Sequence, residues 1–342
     1  MDIIKKEFYS HPEEQLTDIV KLLFQRRFGP EHMIKDPLAS LEHLKKELED
    51  TDFDENMPLC DDIGGDFARI NLAAVKGRLL PETVNRIFVL SANTDNRKDR
   101  KEEFLSDLKK LKDLDFLPFS QKETSDFIAE YSSLGFPPLS HSEIYRKKYA
   151  PHYRIAQKKY TEWLPLFIEI EKTLSDKGRA IIGIDGMAAS GKTTLAGIIA
   201  EIYDCNVFHA DDYFLRPFQR TPERLLQAGG NIDYERMKSE ITDCVFSEEP
   251  FEIRKYDCET QSLSETITVP KKPLTVIEGV YSLHPYFGNI YDIKLMLEIS
   301  RDEQLLRLKK RDPSKLDRFI NEWLPMEEKY FETYRIKEKS TF

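Results

Sequence analysis

The chain has 342 residues, 40% of them hydrophobic and 33% charged, with a formal net charge of −10 and a pI near 5.4. That balance excludes a disordered or fibrous chain and is enough for two cored domains, while the acidic charge and the lack of any Lys/Arg block remove the phosphate attraction that nucleic-acid binding needs. No apolar run reaches membrane-spanning length and "MDIIKKEFYSHPEE" does not read as a leader, so the expectation is a cytoplasmic protein without membrane contact.

The first 130 residues read as helices separated by turn signals. In "EEQLTDIVKLLFQRRFG", Leu16, Val20 and Leu23 share one helical face and Gly29 stops it. In "KDPLASLEHLKKELED", Asp36 caps, Pro37 fits the first turn, and Leu38, Leu41, Leu44 and Leu48 form the apolar stripe. His32, in "FGPEHMI", reads as a structural or capping residue. "LCDDIGGDFARINLAAV" breaks the helical period with paired glycines and an extended stretch. "PETVNRIFVLSAN" and "RKEEFLSDLKKLKDL" restore it.

Prolines and serines around "LGFPPLSHSEIYRKKYAPHYR" place a domain boundary near residue 150, dividing a mainly helical 1–150 from 151–342. His141, Tyr145, Tyr149, His152, Tyr153 and Arg154 gather there, either for interdomain packing or to close over a site in the second domain. A helix then ends at Gly178. Beyond it, the strand-length runs "RAIIGID", "NVFHA", "TVIEGV" and "DIKLMLEIS" alternate with helical segments, the pattern of an α/β parallel sheet flanked by helices. Cys60, Cys205, Cys244 and Cys258 have neither zinc nor disulfide spacing and read as reduced, mostly buried thiols.

"GMAASGKT", Gly186 to Thr193, fits G-x-x-x-x-G-K-[ST] between a strand-like and a helix-like run. Small residues let backbone N–H groups curl around phosphates, and the following helix adds its positive N-terminal end. Lys192, read as a surface cation, reaches the β/γ-phosphates, and Thr193 offers its hydroxyl to Mg²⁺. The expected nucleotide-binding set is Gly186, Ala188, Ala189, Ser190, Gly191, Lys192, Thr193 and Thr194, with ATP and Mg²⁺ as cofactors. Downstream, "NVFHADDYFLRP" ends a strand in paired carboxylates, so that Asp211, or else Asp212, can accept a hydroxyl proton and help hold the metal. "LTVIEGVYSLHP" ends another strand at Glu278, a further Mg²⁺ candidate. An acidic turn and a plain capping carboxylate are the simpler readings of these two features.

"GMAASGKTT", "HADDYF", "GGNIDYERM", "RKYDC" and "VIEGVYSLHP", in this order, resemble the uridine kinase and phosphoribulokinase group of P-loop kinases over roughly residues 179–335. The resemblance implies Asp211 as catalytic base, Glu278 near the metal, Asp233 on substrate hydroxyls and Tyr256 in the acceptor pocket. It further implies an arginine-bearing lid after the fifth strand. Here Arg307 and Arg311 lie at i, i+4 in "SRDEQLLRLKKRDPSKLDRF", suited to charge on a transferring phosphoryl or, alternatively, to a solvated basic face. Asp212 and His284 are further candidates for the acceptor side.

The chain departs from uridine kinases after its "YD" pair, where Cys258 replaces an aromatic and Gln261 stands near the position of a base-reading histidine. The expectation is therefore a kinase acting on a hydroxyl of a nucleoside, sugar or polyol-like molecule, poor with uridine and cytidine. The alternative is a nucleotide-dependent regulator whose first domain binds a partner. The sequence leaves homo-oligomerisation open and assigns residues 1–150 no chemistry.

Overall fold

The computed structural model describes residues 2–30, 34, 36–92 and 97–342, and His32 lies outside the described residues. The chain divides into two units, Met1–Ile168 and Glu169–Phe342. The division falls later than residue 150 because the strand that follows the proline-rich stretch completes the sheet of the first unit.

That sheet is antiparallel, β1 (Cys60–Asp62), β2 (Phe67–Asn71) and β3 (Tyr153–Gln157) in that order, with Asn71 opposite Tyr153. All five residues of β2 are buried, which accounts for the break in helical period. The extended stretch stops at Asn71, and Leu72–Val75 returns to helix. Helix Leu16–Phe28 buries Leu16, Val20 and Leu23 as its period requires. In Pro37–Glu49, Asp36 caps through the Leu38 N–H at 2.9 Å, yet only Leu44 and Leu48 of the stripe are buried and Leu38 is 74% exposed. An apolar face is laid down along the whole helix, whereas its cover extends over the second half alone. Ile19, Leu23, Phe67, Phe104 and Ile155 form the centre of this unit's core.

Helix Leu164–Lys177 runs through the division and ends at Gly178, whose φ of +70° lets the chain turn into the sheet of the second unit. The sheet contains β4 (Ala180–Gly186) and β5 (Cys205–His209). Two short hairpins follow, β6 (Phe251–Ile253) with β9 (Ile267–Val269), and β7 (Tyr256–Asp257) with β8 (Ser262–Leu263). β10 (Leu274–Glu278) and β11 (Ile293–Leu297) complete the order β11-β4-β10-β5, every pair parallel. β4 and β10 are buried throughout, which is why they read as continuous apolar runs.

The thiols depart from expectation. Cys60, Cys205 and Cys244 are half-buried and Cys258 is exposed, because β1 and β5 are edge strands and Cys258 lies in the β7–β8 turn. Among the described residues, no helix is long and apolar enough to cross a membrane.

Candidate active site

The register of the sheet builds the site. Glu278, last in β10, lies opposite Ile184 of β4 on one side and His209 of β5 on the other, so the loop after β4, the turn after β5 and Glu278 meet at the carboxyl ends of three adjacent parallel strands. That edge is where open α/β sheets hold their ligands.

Gly186 has φ +143°, and a Cβ there would stand 2.2 Å from the Leu297 carbonyl oxygen, so this position takes glycine alone. Gly191, at φ +104°, caps helix Lys192–Ile202 and has open space where a side chain would be. Lys192 is buried, contrary to its reading as a surface cation, and its Nζ donates to the Gly186 and Met187 carbonyls at 2.9 Å each. The loop folds over the ammonium, whose charge-assisted bonds to these two carbonyls offset the cost of its burial. Ser190 Oγ is buried and unpartnered, and the first N–H groups of the helix have no intrahelical acceptor. An orphan hydroxyl, free amides and a cation around one small-residue loop fit the phosphates of a nucleotide.

Thr193 Oγ1 donates to Glu278 Oε1 at 3.0 Å, and His209 Nδ1 donates to the same oxygen at 2.5 Å. That hydrogen bond raises the His209 pKa. Thr193 and Glu278 are the oxygen donors that fit Mg²⁺ beside phosphates, a site that takes few protein ligands and several waters. Asp211 opens to solvent from a recess in the protein. Desolvation there, then the negative field of Glu278, raise its carboxyl above the usual range, against the pull of Lys192 and Arg311. Asp212 instead pairs with Lys255 at 2.9 Å.

The acceptor-side candidates are held by protein partners. Asp233 is buried, caps the turn Tyr234–Met237 through the Arg236 N–H at 3.1 Å, and accepts from Gln219 Nε2 at 2.9 Å. The Tyr256 hydroxyl accepts from Arg220 at 3.1 Å. His284 has both ring nitrogens taken, Nδ1 accepting from the Tyr286 N–H at 3.1 Å and Nε2 facing the Ala228 carbonyl at 3.3 Å. It stacks on Tyr234, and burial pushes its pKa down to about 4. Gln261 sits at the β7–β8 turn with φ +54°.

Helix Arg301–Arg311 lies on the phosphate loop. Gln304 Nε2 donates to the Ala188 carbonyl and Arg307 to the Ala189 carbonyl, both at 3.1 Å, and buried Leu308 packs with Ala188. Arg307 also pairs with Glu303 at 2.7 Å, whereas the field of Arg311 reaches Asp211.

Two carboxylates escaped the reading of the sequence. Asp185 is fully buried, accepting from the N–H groups of Gly186, Tyr281 and Leu283 and from the Tyr330 hydroxyl at 2.7–3.2 Å. It ties the loop after β10 to the start of the phosphate loop, and an acid closing the apolar run "AIIGID" was its signal. Glu327 accepts from the Ala188 N–H at 2.9 Å, and burial raises its pKa to about 7. In "LPMEEKYFETY" nothing marks it out.

No family model matches the chain. It is 28% identical to a uridine kinase of Ureaplasma parvum over 164 residues, 44% of this chain and 79% of that one. It is 26% identical to a uridine kinase of Chlamydia pneumoniae over 175 residues, 45% and 77% of the two chains. Among solved structures, a possible uridine kinase from Bacillus stearothermophilus matches with 22% identity and a TM-score of 0.39, over 52% of this chain and 98% of that one. The second unit of the chain is a uridine-kinase-like P-loop kinase domain.

Proposed function

We propose that the second unit transfers the γ-phosphoryl group of ATP, with Mg²⁺, to a hydroxyl of a small sugar-, polyol- or nucleoside-like acceptor. One observation carries the reading: the phosphate loop, Glu278 and Asp211 converge at the carboxyl ends of adjacent strands. Lys192 and the loop amides hold the phosphates, and Thr193 and Glu278 hold the ion. When bound, the ion supplies positive charge to the phosphoryl oxygens.

Asp211 takes the proton of the attacking hydroxyl. Its raised pKa, set by desolvation and by the negative field of Glu278, makes it a stronger base. Arg311, whose field already reaches that carboxylate, opposes the negative charge that builds during transfer. Asp233 and Tyr256, fixed by Gln219 and Arg220, form a pre-ordered wall for acceptor hydroxyls. Without an aromatic at position 258 or a histidine at 261, a pyrimidine ring leaves polar edges unpaired, at about 1–3 kcal/mol for each buried group. Uridine and cytidine are therefore expected to be poor acceptors.

Asp211→Asn tests the assignment of the base. The variant is expected to bind ATP as the parent does and to lose turnover by roughly 10²–10⁴. Unchanged turnover would move the role to Asp212 or another group.

A further inference from the structure

The first unit contains a cavity of about 550 Å³, within the roughly 300–1,000 Å³ that small-molecule sites span. Its lining includes Lys21 and Gln25 of helix Leu16–Phe28, Ser40, His141, and Tyr153 and Arg154 of β3. His141, Tyr153 and Arg154 belong to the cluster around 141–154 that the sequence could assign only to packing or to closing over another site, whereas Tyr145, Tyr149 and His152 do not line the cavity. These three line a cavity within the first unit itself.

The polar groups behind the cavity are hydrogen-bonded in series. Asp18 accepts from the N–H groups of Gln15 and Ser142, both at 2.9 Å, and meets His141 Nδ1 at 3.0 Å. Burial holds the His141 ring neutral, with a pKa of about 4. With Nδ1–H directed at Asp18, its Nε2 accepts from the Tyr153 hydroxyl at 2.6 Å, and that hydroxyl accepts from Gln25 Nε2 at 2.9 Å. Gln25 is fixed from its other end by Arg69, which is buried and paired with Glu7 at 2.5 Å. Arg154 is likewise paired, with Glu47 at 2.7 Å.

Lys21 breaks this pattern. Its side chain is nine-tenths buried on the cavity wall, and among the described residues its ammonium has no hydrogen-bond or ion-pair partner. The nearby charges are Arg69 and Arg146, which repel it, and Asp18, which attracts it across a gap while its oxygens are committed to three other donors. Lys21 lines the cavity together with Asp36, whose carboxylate caps the Leu38 N–H, and a largely buried cation beside other cations, without an anion in contact, is favoured by a ligand that provides one.

We infer that this cavity is a binding site for a small molecule bearing a carboxylate or phosphate. Lys21 pairs with the anionic group, while Tyr153 and Ser40, whose hydroxyls are fixed by His141, Gln25 and Asn85, wall the space for the rest of the ligand. Either anion satisfies the same ammonium.

Pulsed acetylation of the intact full-length protein, read by peptide mass mapping, tests this at one residue, with inorganic phosphate and succinate as probes. Lys21 acetylation is expected to slow about tenfold or more as one probe saturates the site, equivalent to a tenfold occupancy ratio, while exposed Lys147 reacts at an unchanged rate. Protection by phosphate alone indicates a phosphoryl ligand, and protection by succinate alone a carboxylate ligand. Lys21→Met, made beside Lys192→Met to silence the phosphate loop, is expected to abolish calorimetric binding of the protecting probe. Lys21 that labels equally with and without both probes, or that never labels, overturns the proposal.

Discussion

Lys192 illustrates how a residue can be identified correctly and its setting misjudged. The motif places it at the phosphates, but the two carbonyl bonds that bury it follow from the path of the loop, which pattern does not specify. Lys192→Ala is expected to abolish most ATP affinity and turnover. It should also lower the stability of the second unit by about 1.5–3 kcal/mol, the worth of a hydrogen bond to a charged group, measured by denaturant titration without nucleotide. Wild-type turnover would contradict the phosphate-loop assignment.

Glu14 makes a parallel case in the first unit. It is buried with Oε1 unpartnered, and burial, with Glu7 and Asp18 nearby and only Arg69 opposing them, raises its pKa to about 8. Between the ordinary 4.5 and about 8 the native state holds a proton that the unfolded state has released, so stability falls as pH rises through this window. Glu14→Gln is expected to match the parent below this window and to exceed it by about 4–5 kcal/mol above it. Unfolding followed by Trp163 fluorescence in a Trp323→Phe background measures this, and equal parent and variant stability above the window would refute it.

At the scale of elements, the strand–loop–helix unit from β4 to Ile202 was legible because three local signals agree: a doubly buried apolar strand, a small-residue loop and an amphipathic helix. The sheet order was not, since β10 inserts between β4 and β5 through contacts far apart in sequence. The same distance hid Glu327, which reaches the loop from helix Leu324–Tyr334. Gly186→Ala is expected to prevent stable folding of the second unit, because the added Cβ meets the Leu297 backbone at a φ of +143°. A soluble variant with parental circular dichroism and melting would contradict this. The arginines of helix Arg301–Arg311 should separate: Arg311→Ala is expected to lower turnover about 10²-fold. Arg307→Ala, which removes a bond to a loop carbonyl and an exposed ion pair, should change it little. Equal losses in the two variants would assign both to the transferring group.

For the whole molecule, composition and length pointed to two units, and the division at Ile168/Glu169 refines a boundary that turn signals alone put too early. Pairing of β3 with β2 across a long stretch of chain has no local signature, so the first unit's sheet and its polar cavity stayed hidden while its helices did not. A fragment starting at Trp163 is expected to bind ATP as the full chain does, since every phosphate-loop contact lies within the second unit. Calorimetry on the fragment checks this, and loss of ATP binding would show that the first unit is needed to form the site. Phosphoryl transfer to a small-molecule hydroxyl is read out by ADP release from the full-length protein across nucleosides, sugars, polyols and vitamin-like alcohols. Release is expected to rise with one hydroxyl-rich acceptor, to exceed that with uridine or cytidine, and to disappear in Lys192→Ala. Nucleotide binding with no acceptor-stimulated release would contradict it and identify a nucleotide sensor instead.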